Sequence, residues 1–211
     1  MNDILKQQEE FCTIAKKYIH RSGIDELLDY LRDSDFFCAP ASTRYHLSYD
    51  GGLVEHSLNV FYSLRDELVY IFGKDWEQRY SMETVAIVSL FHDLCKINRY
   101  IKDSKNVKNP ETGEWEKVPY FKYNTESFAM GHASHSLHIV QKFMKLTDEE
   151  CQAIYWHMGP YDLSQYNSMN ELSSAYRNNT LAFALNRADM LSTYIVENDR
   201  FRIIESDETS D

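Results

Sequence analysis

The spacing of apolar residues predicts a mostly helical protein. Between Asp3 and His20, apolar residues recur at the three- and four-residue spacing of an amphipathic helix. After a Ser-Gly break, residues Ile24 to Leu31 predict a second, shorter helix. A longer apolar stripe predicts a third helix from Gly51 to about Phe72. The loop between the second and third helices, DSDFFCAPASTRYHLSYDGG, is rich in Ser, Asp and Gly but carries aromatic residues, which favours an ordered loop.

The second half of the chain predicts four more helices and one hairpin. The helices are the segment VAIVSLFHDLC and residues 132–144, 148–157 and 179–198. Because VAIVSLFHDLC is apolar nearly all round, we expect it at the centre of the fold. Thr147 and Glu150 form the sequence signature of a capping box. Apolar and polar residues alternate on both sides of Asn109–Gly113, which predicts a β-hairpin inserted between helices.

These elements predict one domain with two additions. Residues 1–35 are expected to be N-terminal helices that pack on a helical core formed by residues 36–198. The inserted hairpin is expected within residues 98–123, and residues 159–170 are expected to form a loop. The acidic tail, residues 199–211, is expected to fray.

Charge and cysteine usage narrow the function classes. The chain has 22 Lys and Arg against 33 Asp and Glu, a formal charge of −11, so a broad nucleic-acid interface is disfavoured. The four cysteines are far apart and form no C-x-x-C pair, which predicts free thiols in a reducing compartment. No apolar stretch approaches the roughly 20 residues that a membrane span needs. We therefore expect a cytoplasmic protein with no membrane partner.

The chemistry begins with a His-Asp pair inside the most apolar helix. Leu90 and Phe91 precede His92 and Asp93, and Leu94 and Cys95 follow them. An ionised carboxylate buried among apolar side chains needs a partner that compensates its charge. A metal ion is one such partner. The alternatives are a neutral His-Asp hydrogen bond, or a salt bridge from Asp93 to Lys96 or Arg99.

Other predicted helices also turn imidazoles and carboxylates inward. By their spacing from apolar neighbours, His56, His132, His135, His157 and Asp189 all lie on inward faces. One inward histidine is usually a polar core residue, but so many, without a matching set of buried Lys and Arg, predict one or two bound divalent metal ions. Imidazole and carboxylate ligands suit Mn, Fe, Co, Ni or Zn, and Mg is also compatible.

The ordered motifs GGLVEHSLNV, FHDLCK, MGHASH, YWHMG and ALNRADMLSTY resemble the HD-domain superfamily of metal-dependent phosphohydrolases over residues 42–198. The resemblance implies an HD-type helical bundle. The segment APASTRYHLSYDGGLVEH is similar to the region before the first ligand in the HD domains of certain 3′→5′ exoribonucleases. Those enzymes carry an additional OB-fold, for which this chain has no room, so their activity is not transferred.

The resemblance also implies roles for individual residues. A first metal would be held by His56, His92, Asp93 and Asp189. Asp93 would bridge to a second metal, held also by His132 and His157. The family often has a His-His pair at the fourth motif, where this chain has His157-Met158, and His135 is a candidate substitute ligand or acid.

The implied reaction is attack on phosphorus by a metal-activated water. Asp93, Lys96 and His46 are the candidate catalytic residues, with Lys96 reaching a phosphate oxygen and His46 protonating the leaving group. Arg44, Lys96 and His135 are the candidate substrate-binding residues. Alternatively, Lys96 is a solvated lysine at a helix end. Arg44 and His46 could be ordinary surface residues of the loop, and His135 a surface residue of its helix.

The leading expectation is hydrolysis of a phosphomonoester or phosphodiester of a small, nucleotide-like substrate. A di-iron oxygenase and a non-catalytic, metal-stabilised nucleotide sensor are the alternatives. A short RNA or DNA end is a less favoured substrate. The lysines and aromatic residues of the hairpin suit either a lid that stacks on a base or a packing element of a homo-oligomer.

Overall fold

The computed structural model describes residues 3–163 and 168–198. Within them the fold is mostly helical with one small two-stranded hairpin, which confirms the predicted fold class. The helices are α1 (Asp3–Tyr18), α2 (Ile24–Asp33), α3 (Gly52–Phe72), α4 (Met82–Phe91), α5 (His132–Gln141), α6 (Asp148–Tyr155), α7 (Met169–Asn178) and α8 (Thr180–Leu191). The strands are β1 (Tyr100–Lys108) and β2 (Trp115–Tyr123).

The core of the bundle is built around α3 and α4. Helix α3 packs against α1, α4 and α8, and α6 packs against α4 and α8. Every residue of α4 from Val85 to Phe91 is buried, which confirms the central position expected for this apolar segment. Phe11 of α1 stacks edge-on against Phe91, and both are fully buried. The N-terminal helices therefore share one apolar core with the site-bearing helices.

Helix α4 ends earlier than predicted. The sequence pattern extends the helix through Cys95, but the α-helix ends at Phe91, and Asp93 has a non-helical backbone (φ −111°, ψ 19°). The Cys95 N–H donates to the Ser136 hydroxyl of α5 at 3.0 Å instead of continuing the helix. A tight turn, Leu94–Lys96, follows and keeps Lys96 beside Asp93. A contact distant in sequence thus overrides the local apolar pattern.

Three other predictions need correction. Helix α5 stops at Gln141 rather than 144, and α6 at Tyr155 rather than 157. The last predicted helix, 179–198, is α8 followed by a wider π-helical turn, Ser192–Val196. Helix α7 is an element that the sequence analysis does not include, although Ser168 and Glu171 form a capping-box signature and Met169, Leu172 and Tyr176 have helical spacing.

Glycine allows the loop before α3 to approach the helix closely. A Cβ on Gly52 would lie 2.1 Å from the Leu47 carbonyl oxygen, so any larger residue would push the loop away. The loop holds His46 with its ring centroid 5.2 Å from that of His56. The start of α3 therefore fixes two histidines relative to each other.

The hairpin lies within the predicted 98–123 insertion and is largely exposed. Its strands pair antiparallel from Tyr100 opposite Tyr123 to Lys108 opposite Trp115. The four cysteines are free, as predicted. Nothing among the helices of the described ranges is both long and apolar enough to cross a membrane. The predicted acidic tail, residues 199–211, lies outside the described residues, and the domain division stays a prediction.

Candidate metal centre

All six predicted metal ligands meet at one buried point. They are His56 on α3, His92 and Asp93 after α4, His132 at the start of α5, His157 after α6, and Asp189 on α8. Asp93 is the hub, since its carboxylate lies 2.8–3.6 Å from the Nε2 atoms of all four histidines. Helices distant in sequence thus converge on a single carboxylate, as the inward faces predicted.

One set of donors has the spacing of a metal site. His56 Nε2 lies 3.3 Å from His92 Nε2 and 3.2 Å from Asp189 Oδ1. Asp93 Oδ2 lies 3.5 Å from His56 Nε2 and 3.6 Å from His92 Nε2. A tetrahedral ion with bonds of about 2.0–2.1 Å holds its ligand atoms about 3.3 Å apart. His56, His92 and Asp93 therefore form one set that could hold an ion, and Asp189 lies beside this set in contact with His56.

The other oxygen of Asp93 faces a second set. Asp93 Oδ1 lies 2.8 Å from His132 Nε2 and 3.5 Å from His157 Nε2. His157 Nε2 is buried and makes no hydrogen bond, which is costly unless the atom has another partner. A metal ion would supply that partner. The two oxygens of Asp93 thus face different histidine pairs, which suits the bridging role that the resemblance implies.

Hydrogen bonds from the Nδ1 atoms of His92 and His157 orient these two rings for metal binding through Nε2. His92 Nδ1 donates to the Ser89 carbonyl at 2.7 Å, and His157 Nδ1 donates to the Ile154 carbonyl at 2.6 Å. A carbonyl can only accept, so each Nδ1 carries the proton and each Nε2 presents a lone pair inward. Metal-binding histidines are commonly oriented in this way.

The local charges suit a divalent cation. Burial raises the pKa of Asp93 and Asp189, but nearby positive charge and hydrogen bonds outweigh it and hold both values below the usual range. Glu197 behaves in the same way beside His56. Three carboxylates against the single ammonium of Lys96 leave two negative charges that need compensation.

Protons compensate that charge when no metal is bound. Burial alone would lower the pKa of His56, but Glu197 and Asp189 raise it to about 10. The pKa of His132 is also raised, through Cys95 and Asp93 against the effect of burial. Burial lowers the pKa of His92 to about 3, so this ring is neutral and ready to bind metal. A divalent ion would displace the protons on His56 and His132.

Lys96 is buried, not solvated at a helix end. Its Nζ lies 2.6 Å from Asp93 Oδ2. Burial alone would lower the pKa of this ammonium, but the attraction of Asp93 raises it above its usual value. Lys96 therefore carries a fixed positive charge beside the ligand cluster.

A cavity of 520 Å³ opens onto the cluster. Its lining includes His46, His56, Asp93, Lys96 and Asp189. Its walls carry five tyrosines: Tyr45, Tyr100, Tyr123, Tyr161 and Tyr194. Of these, only Tyr100 is among the hairpin aromatic residues that the sequence suggests for a lid. Small-molecule sites are commonly pockets of this size, with apolar walls and a few polar groups.

The remaining predicted residues separate into two groups. His46 lines the cavity, and burial lowers its pKa to about 4, so the neutral ring suits accepting a proton better than protonating a leaving group. Arg44 is exposed on the loop and does not line the cavity. His135 is buried with its ring 5.1 Å from Phe128, also away from the cavity lining. Substrate binding by Arg44 and His135 stays a prediction without a contact to support it.

Glu197 is a residue that the sequence reasoning missed. Its Oε1 accepts from His56 Nδ1 at 2.9 Å and from Asn59 Nδ2 at 3.1 Å, and it is buried. The available signal was its position eight residues after Asp189, with Thr193 midway at helical spacing. Glu197 therefore orients the ring of His56 by accepting from Nδ1, while Nε2 faces the cluster.

Replacing Glu197 by Gln should weaken metal binding about 10- to 100-fold, because the His56 ring loses the carboxylate that fixes its proton and orientation. Competition with a metal-sensitive dye measures the affinity. The matched control is Glu149→Gln, an exposed carboxylate on α6. Equal affinities of the Glu197→Gln variant and the wild type would contradict this role.

Comparison with known proteins does not identify a family for this chain. No family model, curated protein or solved structure matches the chain. The resemblance to the HD-domain superfamily therefore stays a prediction based on the ordered motifs. What the structure adds is a buried His/Asp cluster that could hold a metal ion.

Proposed function

We propose that the chain is a metal-dependent phosphohydrolase that cleaves a phosphomonoester or phosphodiester of a nucleotide-like substrate. The observation that carries this proposal is Asp93, whose two oxygens face separate histidine pairs at the floor of a cavity. Lys96 adds a positive charge at the same carboxylate. Paired cation sites and a fixed ammonium are the features that stabilise charge on a phosphoryl group.

The ligand set favours Mn, Fe, Co, Ni or Zn, with Mg as a weaker candidate. As the resemblance implies, His56, His92, Asp93 and Asp189 would hold one ion. Asp93, His132 and His157 would hold a second. When bound, such ions lower the pKa of a coordinated water and offset charge on the phosphoryl oxygens.

The protein residues would position the substrate and its protons. Lys96 uses one N–H for Asp93 and lines the cavity, so its other donors are available to a phosphate oxygen. The neutral ring of His46 can accept a proton at Nε2, which has no hydrogen-bond partner and lies 3.8 Å from Glu197 Oε2. The tyrosine walls offer aromatic surface to a planar base.

Hydrolysis of two chromogenic esters, p-nitrophenyl phosphate and bis(p-nitrophenyl) phosphate, tests the proposal. We expect metal-loaded protein to release p-nitrophenol from at least one ester, chelator to stop the reaction, and added Mn²⁺ or Co²⁺ to restore it. Metal-loaded, folded protein that hydrolyses neither ester would contradict the proposal. Iron-dependent oxygen consumption would then indicate the oxygenase, and nucleotide binding without turnover the sensor.

A further inference from the structure

The register of the hairpin sorts its side chains onto two different faces. Residues directly opposite each other in an antiparallel pair point to the same side. One face, called here the aromatic face, therefore carries the even-numbered positions of β1 and the odd-numbered positions of β2. The opposite face carries the remaining positions of both strands.

The two faces differ in charge. The aromatic face has three lysines, four aromatic residues and no acidic residue. The opposite face carries two lysines and two acidic residues, and Lys122 forms an ion pair with Asp103. One side of the hairpin is thus cationic in a chain whose formal charge is −11.

The outer part of the aromatic face is available for binding. The Trp115 side chain is 70% exposed and Tyr123 is 59% exposed. Lys108 and Lys117 are exposed, and neither forms an ion pair within the described chain. Nearer the bundle, Lys102 is already paired with Asp50 at 2.6 Å. The lysines without an ion pair among the described residues, Lys108 and Lys117, therefore lie toward the tip of the hairpin, near the exposed ring of Trp115.

The inner end of this face reaches the candidate metal centre. Tyr100 and Tyr123 lie opposite each other with ring centroids 5.3 Å apart, and both line the cavity. Nine residues of strand span about 27 Å. The aromatic face therefore runs from the cavity to the tip of the hairpin, with aromatic and cationic side chains at both ends and Ser104 opposite Pro119 between them.

We propose that the aromatic face binds single-stranded nucleic acid and leads one end of the strand to the cavity. Aromatic side chains stack on unpaired bases, and lysines between them contact phosphates, which is the usual pattern of sequence-independent single-strand binding. Because the rest of the chain is acidic, contact is confined to this face. The delivery of an end rests on the proposed function, whereas the binding itself does not.

Anisotropy of a fluorescein-labelled oligonucleotide of about twelve nucleotides tests the binding. The measurement uses the full chain, oligo(U) and oligo(dT), and chelator to prevent turnover. Lys117→Glu on the aromatic face should weaken binding at least about fivefold and lower the salt slope by about one. Lys105→Glu, an equal charge reversal on the opposite face of the same hairpin, should change affinity less than about twofold.

Tryptophan fluorescence reports the stacking directly. Trp76 and Trp156 are buried, so quenching by oligonucleotide should come from Trp115 and disappear in Trp115→Leu. A stronger response to oligo(U) than to oligo(dT) would identify RNA as the partner, and the reverse would identify DNA. Either result supports the proposal.

Three results would overturn the proposal. They are the absence of binding at low salt, equal losses in Lys117→Glu and Lys105→Glu, and a dimer by light scattering that Lys117→Glu dissociates while oligonucleotide binding is absent. The last would assign the face to a second copy of the chain. Hydrolysis of p-nitrophenyl esters by Lys117→Glu separates this test from the proposed function, since that activity does not use the hairpin tip.

Discussion

Asparagine in place of Asp93 should reduce hydrolysis of the chromogenic esters more than about 1000-fold. Changes beside a ligand already cost 10- to 100-fold, and loss of one preorganised electrostatic contact costs about 100- to 1000-fold. Asp93 combines both functions, because it faces all four histidines and is the counter-ion of Lys96. The substitution keeps the shape of the side chain but removes the charge. The measurement is kcat/KM under saturating metal.

The matched control is Asp66→Asn, an exposed aspartate on α3, the helix that carries His56. It should leave kcat/KM and metal content unchanged. Thermal unfolding in chelator checks that the Asp93→Asn variant folds. A folded Asp93→Asn variant with wild-type turnover would show that the cluster is a polar core and not the reaction centre.

The second large effect is expected at Glu150, which is not one of the predicted metal ligands. Glu150 is fully buried, and Arg21 donates to both of its oxygens, at 2.6 and 3.1 Å. It also accepts from Thr84 and from the Thr147 N–H of the capping box. Glu150→Gln should lower the free energy of unfolding at pH 7 by about 3 kcal/mol, because Arg21 loses its two short bonds to a buried carboxylate and, within the described chain, keeps only the longer carboxylate contact, with Glu83 at 3.4 Å.

The contribution of Glu150 to the free energy of unfolding should decrease at low pH. Burial raises the pKa of Glu150, but the hydrogen bonds and charge of Arg21 outweigh it, so the folded-state pKa lies below the usual 4.5. The unfolded chain then binds the proton more readily, and the stabilisation is present above about pH 4.5 and lost as the pH falls through the folded-state pKa.

Urea unfolding of Glu150→Gln and wild type at pH 7 and at progressively lower pH measures the difference. The gap of about 3 kcal/mol should narrow below pH 4.5. Glu149→Gln, an exposed neighbour on α6, should show almost no difference at either pH. An equal difference in free energy of unfolding between wild type and Glu150→Gln at pH 7 and in acid would contradict the ion-pair explanation.

The inward-facing ligands could be predicted because their positions follow local periodicity. His56 and Asp189 each lie one helical turn from buried apolar residues, and the structure places both at the cluster. The hairpin could be predicted because alternation and an Asn-Pro turn occur together. Both inferences use neighbours within one element.

What escaped prediction depends on contacts between elements. The end of α4 is decided by Ser136, 41 residues beyond Cys95. The spacing of Glu197 from Asp189 places it near the site, but its partner, His56, follows only from the way the chain turns after α8. Helix α7 is different, because its capping box, Ser168 with Glu171, is a local signal within the segment itself.

Elemental analysis of protein purified without chelator shows whether the His/Asp cluster holds metal. We expect about one to two equivalents of a transition metal per chain, with most of it lost in Asp93→Asn and retained in Asp66→Asn. A folded protein that contains no metal, and takes up none of Mn²⁺, Fe²⁺, Co²⁺, Ni²⁺ or Zn²⁺ when each is added in excess, would contradict a metal-binding role of the cluster.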